Sequence, residues 1–310
     1  MHTPDSADRS GNRTKALARA GLAAAVSVAR QQGLPADDPR VLSSRGNLIV
    51  HLAPAPVVAR VATLTAWTRS NPFCWLAREV AVAGYAALQG GPVIPPTDLA
   101  DPGPHRHDGL ALSLWTYRPA SPDRAAAAEA GTELARLHIA LAGYAGDLPV
   151  MSPARDQITE GLAALERERV LDPATVARLR ARHRAVLAWL DSLESPAAVL
   201  HGDAHAGNLM RSGGRWHWFD LEETCRGPRQ WDLAVLAGGQ AADATVALAA
   251  YAAVSGTRVP AAAELAPFHA ARELEGAVWS LGMAHQYPSR YREVATQLLD
   301  SVLHADAGAP

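Results

Sequence analysis

The chain has 310 residues, 48% of them apolar and 19% charged, with a formal net charge of −2. That is enough chain for two lobes around a large core, and it lacks the basic excess that nucleic acid or an anionic membrane surface would demand. Two cysteines, Cys74 and Cys225, make no disulfide framework, which points to a reducing, cytoplasmic setting.

Met1 to Arg13 is polar and without periodicity, so a disordered tail is expected there. Thr14 to Gln32 imitates a secretory signal, but its apolar run is mostly alanine; an amphipathic helix capped near Thr14 and stopped at Gly33 is the better reading. Ser43 to Leu52 and Val57 to Ala62 read as strands separated by the Pro54-Ala55-Pro56 turn. Trp75 to Leu88 is a helix carrying Glu79, Asp98 to Asp108 a polar loop with His105 and His107, and Leu110 to Tyr117 a strand. No stretch is long and apolar enough to span a bilayer.

Ser121, with Pro122 behind it, starts a helix whose buried stripe includes Leu134, Leu137, His138 and Leu141. Ile158 to Arg169 and Pro173 to Leu193 are two more helices. From Ala241 the chain is helical, with Pro260 and Pro267 as boundaries. Within Phe268 to Gln286, Ala271, Leu274, Val278 and Leu281 form one stripe, and Arg272, Glu275, Trp279 and Gly282 the adjoining one. Ala305 to Pro310 should fray.

The stretch with chemistry is Val199 to Glu222, VLHGDAHAGNLMRSGGRWHWFDLE. A buried strand ends near His201, a polar loop follows, and Asn208 to Arg211 pairs with Trp216 to Asp220 across Ser212-Gly213-Gly214. This brings Asp203, Asn208 and Asp220 together. Asn208 and Asp220 supply two hard oxygen ligands suited to Mg2+ carrying triphosphate oxygens, and Asp203 stands ready to orient a hydroxyl and accept its proton. The alternation of His201, Asp203 and His205 is also compatible with a metal-hydrolase cluster, although that leaves Asn208 and Asp220 without a task.

His201-Gly202-Asp203, Asn208 five positions on, and Asp220 on the next strand resemble the catalytic loop and metal-binding Asp of the protein-kinase-like fold. The form HGDAHAGN resembles the aminoglycoside phosphotransferase family in particular. The resemblance covers about Leu42 to Leu236. It implies an α+β, bilobal fold: an N-terminal lobe over residues 14–116 with a small antiparallel sheet, and a mainly helical C-terminal lobe over 117–310. It implies ATP and Mg2+ as cofactors, and a small-molecule hydroxyl acceptor such as an aminoglycoside, another amino sugar, choline or an amino alcohol.

By the same resemblance, a short turn including Ser44 and Asn47 covers the phosphates, and Arg60, braced by Glu79, fills the phosphate-binding position usually held by lysine. Lys15 is the only lysine among 29 basic residues, so no lysine competes for that role. Adenine would lie against the backbone of Leu114, Trp115 and Thr116. His201, His205 and Asp232 would support the loop, and Glu275 and Trp279 would wall the acceptor pocket; independently of the resemblance, Glu222 and Glu223 join Glu275 as an acidic wall suited to an amino sugar by charge pairing. Catalysis would rest on Asp203, and the metal on Asn208 and Asp220. A nucleotide-binding regulator without turnover is the competing class, favoured by Arg60 and by the single glycine, Gly46, in the phosphate turn. The oligomeric state stays open.

Overall fold

A computed structural model describes residues 4–64, 66, 70–194 and 197–304, with side chains from residue 15 onward. In its N-terminal half, β1 (Asp38–Ser44), β2 (Leu48–Ala53), β3 (Val57–Val61), β4 (His105–His107) and β5 (Leu110–Thr116) form an antiparallel sheet in the order β1-β2-β3-β5-β4. Alternation sorts its two faces. Leu48, Val50 and Leu52 of β2 are fully buried with Val57, Ala59, Leu112 and Leu114 beneath α1 (Pro4–Gln31), whose Ala25, Val28 and Ala29 complete that core. Each buried Leu or Val there contributes about 1.5–3 kcal/mol. On the opposite face Ile49, Val58 and Arg60 turn toward a cleft. α2 (Pro72–Leu88) follows β3 and brings the buried Glu79 to the same side.

The remainder is mostly helical: α3 (Ala127–Leu141), α4 (Ile158–Arg167), α5 (Pro173–Asp191), α6 (Gln230–Leu236), α7 (Ala241–Ser255), α8 (Ala262–Gln286) and α9 (Pro288–His304). Helix α3 packs on α7 with almost no space between them. A Cβ on Gly131 would lie 2.0 Å from the Ala247 carbonyl oxygen, so only glycine permits this approach. Between α5 and α6 lie two small antiparallel ribbons, β6 (Ala198–Leu200) with β9 (Cys225–Gly227), and β7 (Leu209–Ser212) with β8 (Arg215–Trp218). The β7–β8 turn is Gly213-Gly214, both with positive φ, as a type I′ hairpin requires. The architecture is the expected α+β, bilobal protein-kinase-like one. No helix among the described residues is long and apolar enough to cross a membrane.

Several local expectations are corrected. Helix α1 begins at Pro4 rather than near Thr14: proline suits a first helical turn, so the polar stretch is not a disordered tail from residue 4 onward. The expected frayed end, Ala305 to Pro310, lies outside the described residues. Ser43 to Leu52 is two strands, not one. The turn Arg45-Gly46-Asn47 divides it, tied down where Leu64 N–H donates to the Gly46 carbonyl at 2.9 Å. His105–His107 pairs with β5 as an edge strand instead of looping.

Helix α3 starts at Ala127, not Ser121. The apparent start signal is spent elsewhere: Ser121 donates to Asp123 at 2.8 Å, Arg211 holds Asp123 at 3.0 Å, and Ser121 N–H bonds the Arg211 carbonyl at 2.8 Å. The first turn is instead satisfied by Glu129, which accepts from Ala126 N–H at 2.8 Å. Pro267 lies inside α8 rather than ending a helix; its position near the N-terminus limits the cost to one ladder bond.

Candidate active site

The loop after β6 is braced from beneath by Asp232, on α6. His201 N–H donates to Asp232 Oδ2 at 2.7 Å and Gly202 N–H to Oδ1 at 2.9 Å. His138 Nε2 lies 2.9 Å from Oδ2, with the other nitrogen of its ring 2.9 Å from the Tyr251 hydroxyl. Trp231 Nε1–H donates to the Gly202 carbonyl at 2.7 Å. A fully buried carboxylate is thereby matched with several donors. Gly202 has φ +88°, and a Cβ there would lie 2.2 Å from the Glu223 carbonyl oxygen. The loop thus turns back at a position only glycine can occupy.

His201 is fully buried, and burial lowers its proton affinity. Its Nδ1 accepts from Asp203 N–H at 3.3 Å, and its Nε2 lies 3.2 Å from the Phe219 carbonyl. Both ring nitrogens are therefore engaged, which fits a loop support and not a metal ligand. Among the described residues no group of three or more His, Cys, Asp or Glu side chains is placed to hold a metal ion. The hydrolase cluster has no structural counterpart. His205 caps the short turn Ala206–Asn208 by accepting from Gly207 N–H at 3.0 Å, and its Nε2 lies 3.4 Å from Asp203 Oδ2.

Asn208 donates through Nδ2 to the Asp203 carbonyl at 3.0 Å and to Asp203 Oδ2 at 3.1 Å. Arg272, on α8, hydrogen-bonds Asp203 Oδ1. Burial raises the proton affinity of Asp203, but the Arg272 guanidinium together with His205 and His201 outweighs it and holds the carboxyl well below the usual range. Asp220 follows β8 in a left-handed conformation (φ 65°, ψ 51°) that Asp tolerates better than most residues. Its Oδ1 accepts from Arg60.

Arg60 is buried on β3 among three carboxylates. It hydrogen-bonds Asp220 and Glu222, while its other terminal nitrogen lies 3.4 Å from Glu79 Oε1. Burial opposes the guanidinium charge, and Asp220, Glu79 and Glu222 more than restore it. Burial pushes the Glu79 carboxyl up to about 8 despite Arg60. Asn47 Nδ2 donates to Glu222 Oε2 at 2.9 Å, linking the β1–β2 turn to this cluster.

These groups line one cavity of about 880 Å³ between the sheet and the helices. Asp203, His205, Asn208, Asp220, Arg60, Glu79, Asn47, Trp115 and Thr116 all face it, as do Glu222, Glu223, Glu275 and Trp279. Ser44 and Leu114 do not. Ser44 alternates outward, leaving Ser43 and Arg45 to line the turn, and Leu114 is fully buried under α1. The N–H groups of Leu114 and Thr116 are also taken, by the Pro102 and Pro95 carbonyls at 2.9 and 3.1 Å.

Glu222 and Glu223 face different partners. Leu221–Glu223 is a 3₁₀ turn, which separates successive side chains by about 120°. Glu222 therefore reaches Arg60, and Glu223 points to Arg272, 3.4 Å away. Arg272 is also 2.6 Å from Glu275, and Trp279 meets Tyr291 edge-on at 5.4 Å. Arg272 had no assigned role, although it shares a helical stripe with Glu275 and Trp279. Tyr117, Arg118 and Tyr291, also in the lining, carried no local signal. Cys225 is buried, which pushes its thiol up and away from nucleophilic use.

A loop carboxylate, an adjacent amide, a second carboxylate after the following hairpin, and a strand cation braced from a helix meet in one cavity of a protein-kinase-like fold. The family comparison agrees: the profile of the phosphotransferase enzyme family matches residues 40–268, and the chain belongs to that family. Among solved structures it is similar to a choline/ethanolamine kinase family protein from Mesorhizobium loti, with 19% identity, TM-score 0.62, and 95% of this chain and 96% of that one covered. An amicoumacin kinase in complex with AMP-PNP, Ca2+ and amicoumacin is similar at 13% identity and TM-score 0.63, covering 86% and 88%. An aminoglycoside phosphotransferase with ADP and hygromycin B is similar at 14% identity and TM-score 0.56, covering 91% and 98%. Comparison with curated proteins finds no match.

Proposed function

We propose that this protein is an ATP-dependent small-molecule kinase that transfers the γ-phosphate to a hydroxyl of an aminoglycoside or a similar amino sugar or antibiotic. The observation that carries the reading is the meeting of Asp203 and Asn208, 3.1 Å apart, with Asp220 and Arg60 in the same cavity. Phosphoryl transfer needs positioning and charge neutralisation more than covalent chemistry, and these side chains offer both.

Asp203 accepts the hydrogen bond of the acceptor hydroxyl and takes its proton as the oxygen bonds to phosphorus. The bond from the γ-phosphorus to the β,γ-bridging oxygen breaks, and ADP leaves with that electron pair. Asn208 spends its amide nitrogen on Asp203, which leaves its Oδ1, with the Asp220 carboxylate in the same cavity, as a hard donor set of the kind Mg2+ takes. When bound there, Mg2+ neutralises charge on the phosphate oxygens. Arg60 turns its fork to the phosphates while Glu79 and Glu222 keep it aligned. Ile49, Val58, Ile94, Met210 and Phe219 supply an apolar lining for the base, and Tyr117 and Arg118 continue the backbone beyond β5.

On the acceptor side three carboxylates, Asp203, Glu223 and Glu275, surround the single guanidinium of Arg272. Arg290 also lines the cavity beside Tyr291, so the carboxylates exceed the guanidinium groups by one, and that excess supports an acceptor carrying ammonium groups. Use of ATP supports a cytoplasmic setting for the reaction.

The test is ADP release with Mg-ATP over aminoglycosides, macrolides, amino sugars and amino alcohols, with products read by mass spectrometry. Stoichiometric ADP and phosphorylated acceptor are expected for an amine-bearing alcohol. A wild type that releases no ADP with water or with any acceptor would end the kinase reading.

A further inference from the structure

We propose that Arg272 is a positioning residue for catalysis: it fixes the Asp203 carboxylate from the acceptor side and ties it to the acceptor wall. This inference rests on the kinase reading above. Asp203 is held at both oxygens, by Asn208 Nδ2 on Oδ2 at 3.1 Å and by Arg272 on Oδ1. The first anchor comes from the same loop. The second comes from α8, 69 residues further along the chain.

The anchoring guanidinium is itself clamped. One terminal nitrogen of Arg272 bonds Asp203, and the other lies 2.6 Å from Glu275 and 3.4 Å from Glu223. Its side chain is 24% exposed, and all three partners line the cavity. A planar fork can bond carboxylates on two sides at once, whereas a lysine ammonium acts as a single point charge. With both oxygens held, the Asp203 carboxylate cannot rotate freely about its last side-chain bond. Each carboxylate oxygen has two acceptor sites, so the arrangement still leaves room for an incoming hydroxyl.

The same contacts make acceptor binding and catalysis interdependent. A ligand that engages Glu223 or Glu275 acts on the residue that orients Asp203. Displacing a catalytic group by about 1 Å costs on the order of a hundredfold in rate.

The experiment measures ADP release from Mg-ATP, with water and with the acceptor panel, for the wild type, Arg272→Ala, Arg272→Lys, Asp203→Asn and the Asp203→Asn/Arg272→Ala pair. In Arg272→Ala, kcat should fall on the order of a hundredfold, while KM for Mg-ATP stays unchanged. Tens of millimolar guanidinium chloride should restore much of the rate, and sodium chloride at equal ionic strength should not. The double variant should be no slower than Asp203→Asn alone, because the two side chains act as one unit. Should Arg272→Ala fail to fold, Arg272→Lys carries the test, with a rate loss of roughly tenfold or more at unchanged KM.

Wild-type kcat in either variant overturns the proposal, as does a rate loss that guanidinium cannot repair or that adds fully to Asp203→Asn. A wild type that releases no ADP with water or any acceptor removes the kinase reading, and this inference falls with it. A wild type that turns over while Arg272→Ala matches it removes the inference alone.

Discussion

Replacing Asp232 by alanine tests whether the loop that carries Asp203 is held from beneath. The fully buried carboxylate accepts from His201 N–H and Gly202 N–H at 2.7 and 2.9 Å and faces His138 Nε2 at 2.9 Å. The alanine variant leaves three buried polar groups without this partner, each worth about 1–3 kcal/mol. Partial relaxation of the loop brings the expected loss to roughly 4–5 kcal/mol, a large share of the ~5–15 kcal/mol typical of a folded domain. Asp232→Asn keeps one acceptor oxygen and should lose roughly half as much. Urea unfolding at neutral pH, followed by tryptophan fluorescence, measures this directly, since Trp231 bonds the same loop at Gly202. His138→Ala should add little once Asp232→Ala is present, because the two share one network. An Asp232→Ala variant within about 1 kcal/mol of wild type, the scale of one ordinary hydrogen bond, would refute the reasoning.

Gly202→Ala should lose at least about 2–3 kcal/mol and most of its turnover: its φ is +88° and the new Cβ meets the Glu223 carbonyl at 2.2 Å; wild-type turnover in that variant would count against the loop geometry. Glu79 predicts a pH dependence. Burial raises its carboxyl from an ordinary 4.5 to about 8, so between those values the folded state binds more protons than the unfolded one. Its ionisation therefore costs nothing below pH 4.5 and costs progressively more stability as pH rises to 8. At about 1.4 kcal/mol per pKa unit the change amounts to a few kcal/mol. Glu79→Gln cannot ionise, so its stability relative to wild type should improve between pH 5 and pH 8 in urea unfolding. An unchanged difference at the two pH values would contradict the assignment.

The clearest parts of the site in the sequence were those set by local spacing. Asp203 and Asn208 share one loop, Asp220 follows the next hairpin, and the Gly213-Gly214 turn fixes their approach. Arg60 and Glu79 were readable for a different reason: resemblance to a known family, in a chain with one lysine, left few alternatives. The rest depended on tertiary placement. Arg272 reaches Asp203 only because α8 packs against α6, next to the loop. Glu222 and Glu223 looked equivalent until a 3₁₀ turn sent them to opposite sides of the cavity. Ser121-Pro122-Asp123 carried a sound helix-start signal, yet Arg211 diverted it, and no local rule anticipates a partner 88 residues away. Strand β1, with Val41 and Leu42 half exposed at the sheet edge, lacked the apolar alternation that marked its neighbours.

The most direct measurement of the central claim is turnover and nucleotide affinity in Asp203→Asn. In the proposed function Asp203 handles the acceptor hydroxyl while Arg60, Asn208 and Asp220 face the nucleotide, so Mg-ATP should bind this variant nearly as tightly as wild type by calorimetry. ADP release should meanwhile fall by at least ~10²-fold, the scale expected for loss of a general base. Undiminished ADP release, or loss of Mg-ATP binding in a folded variant, would contradict the account.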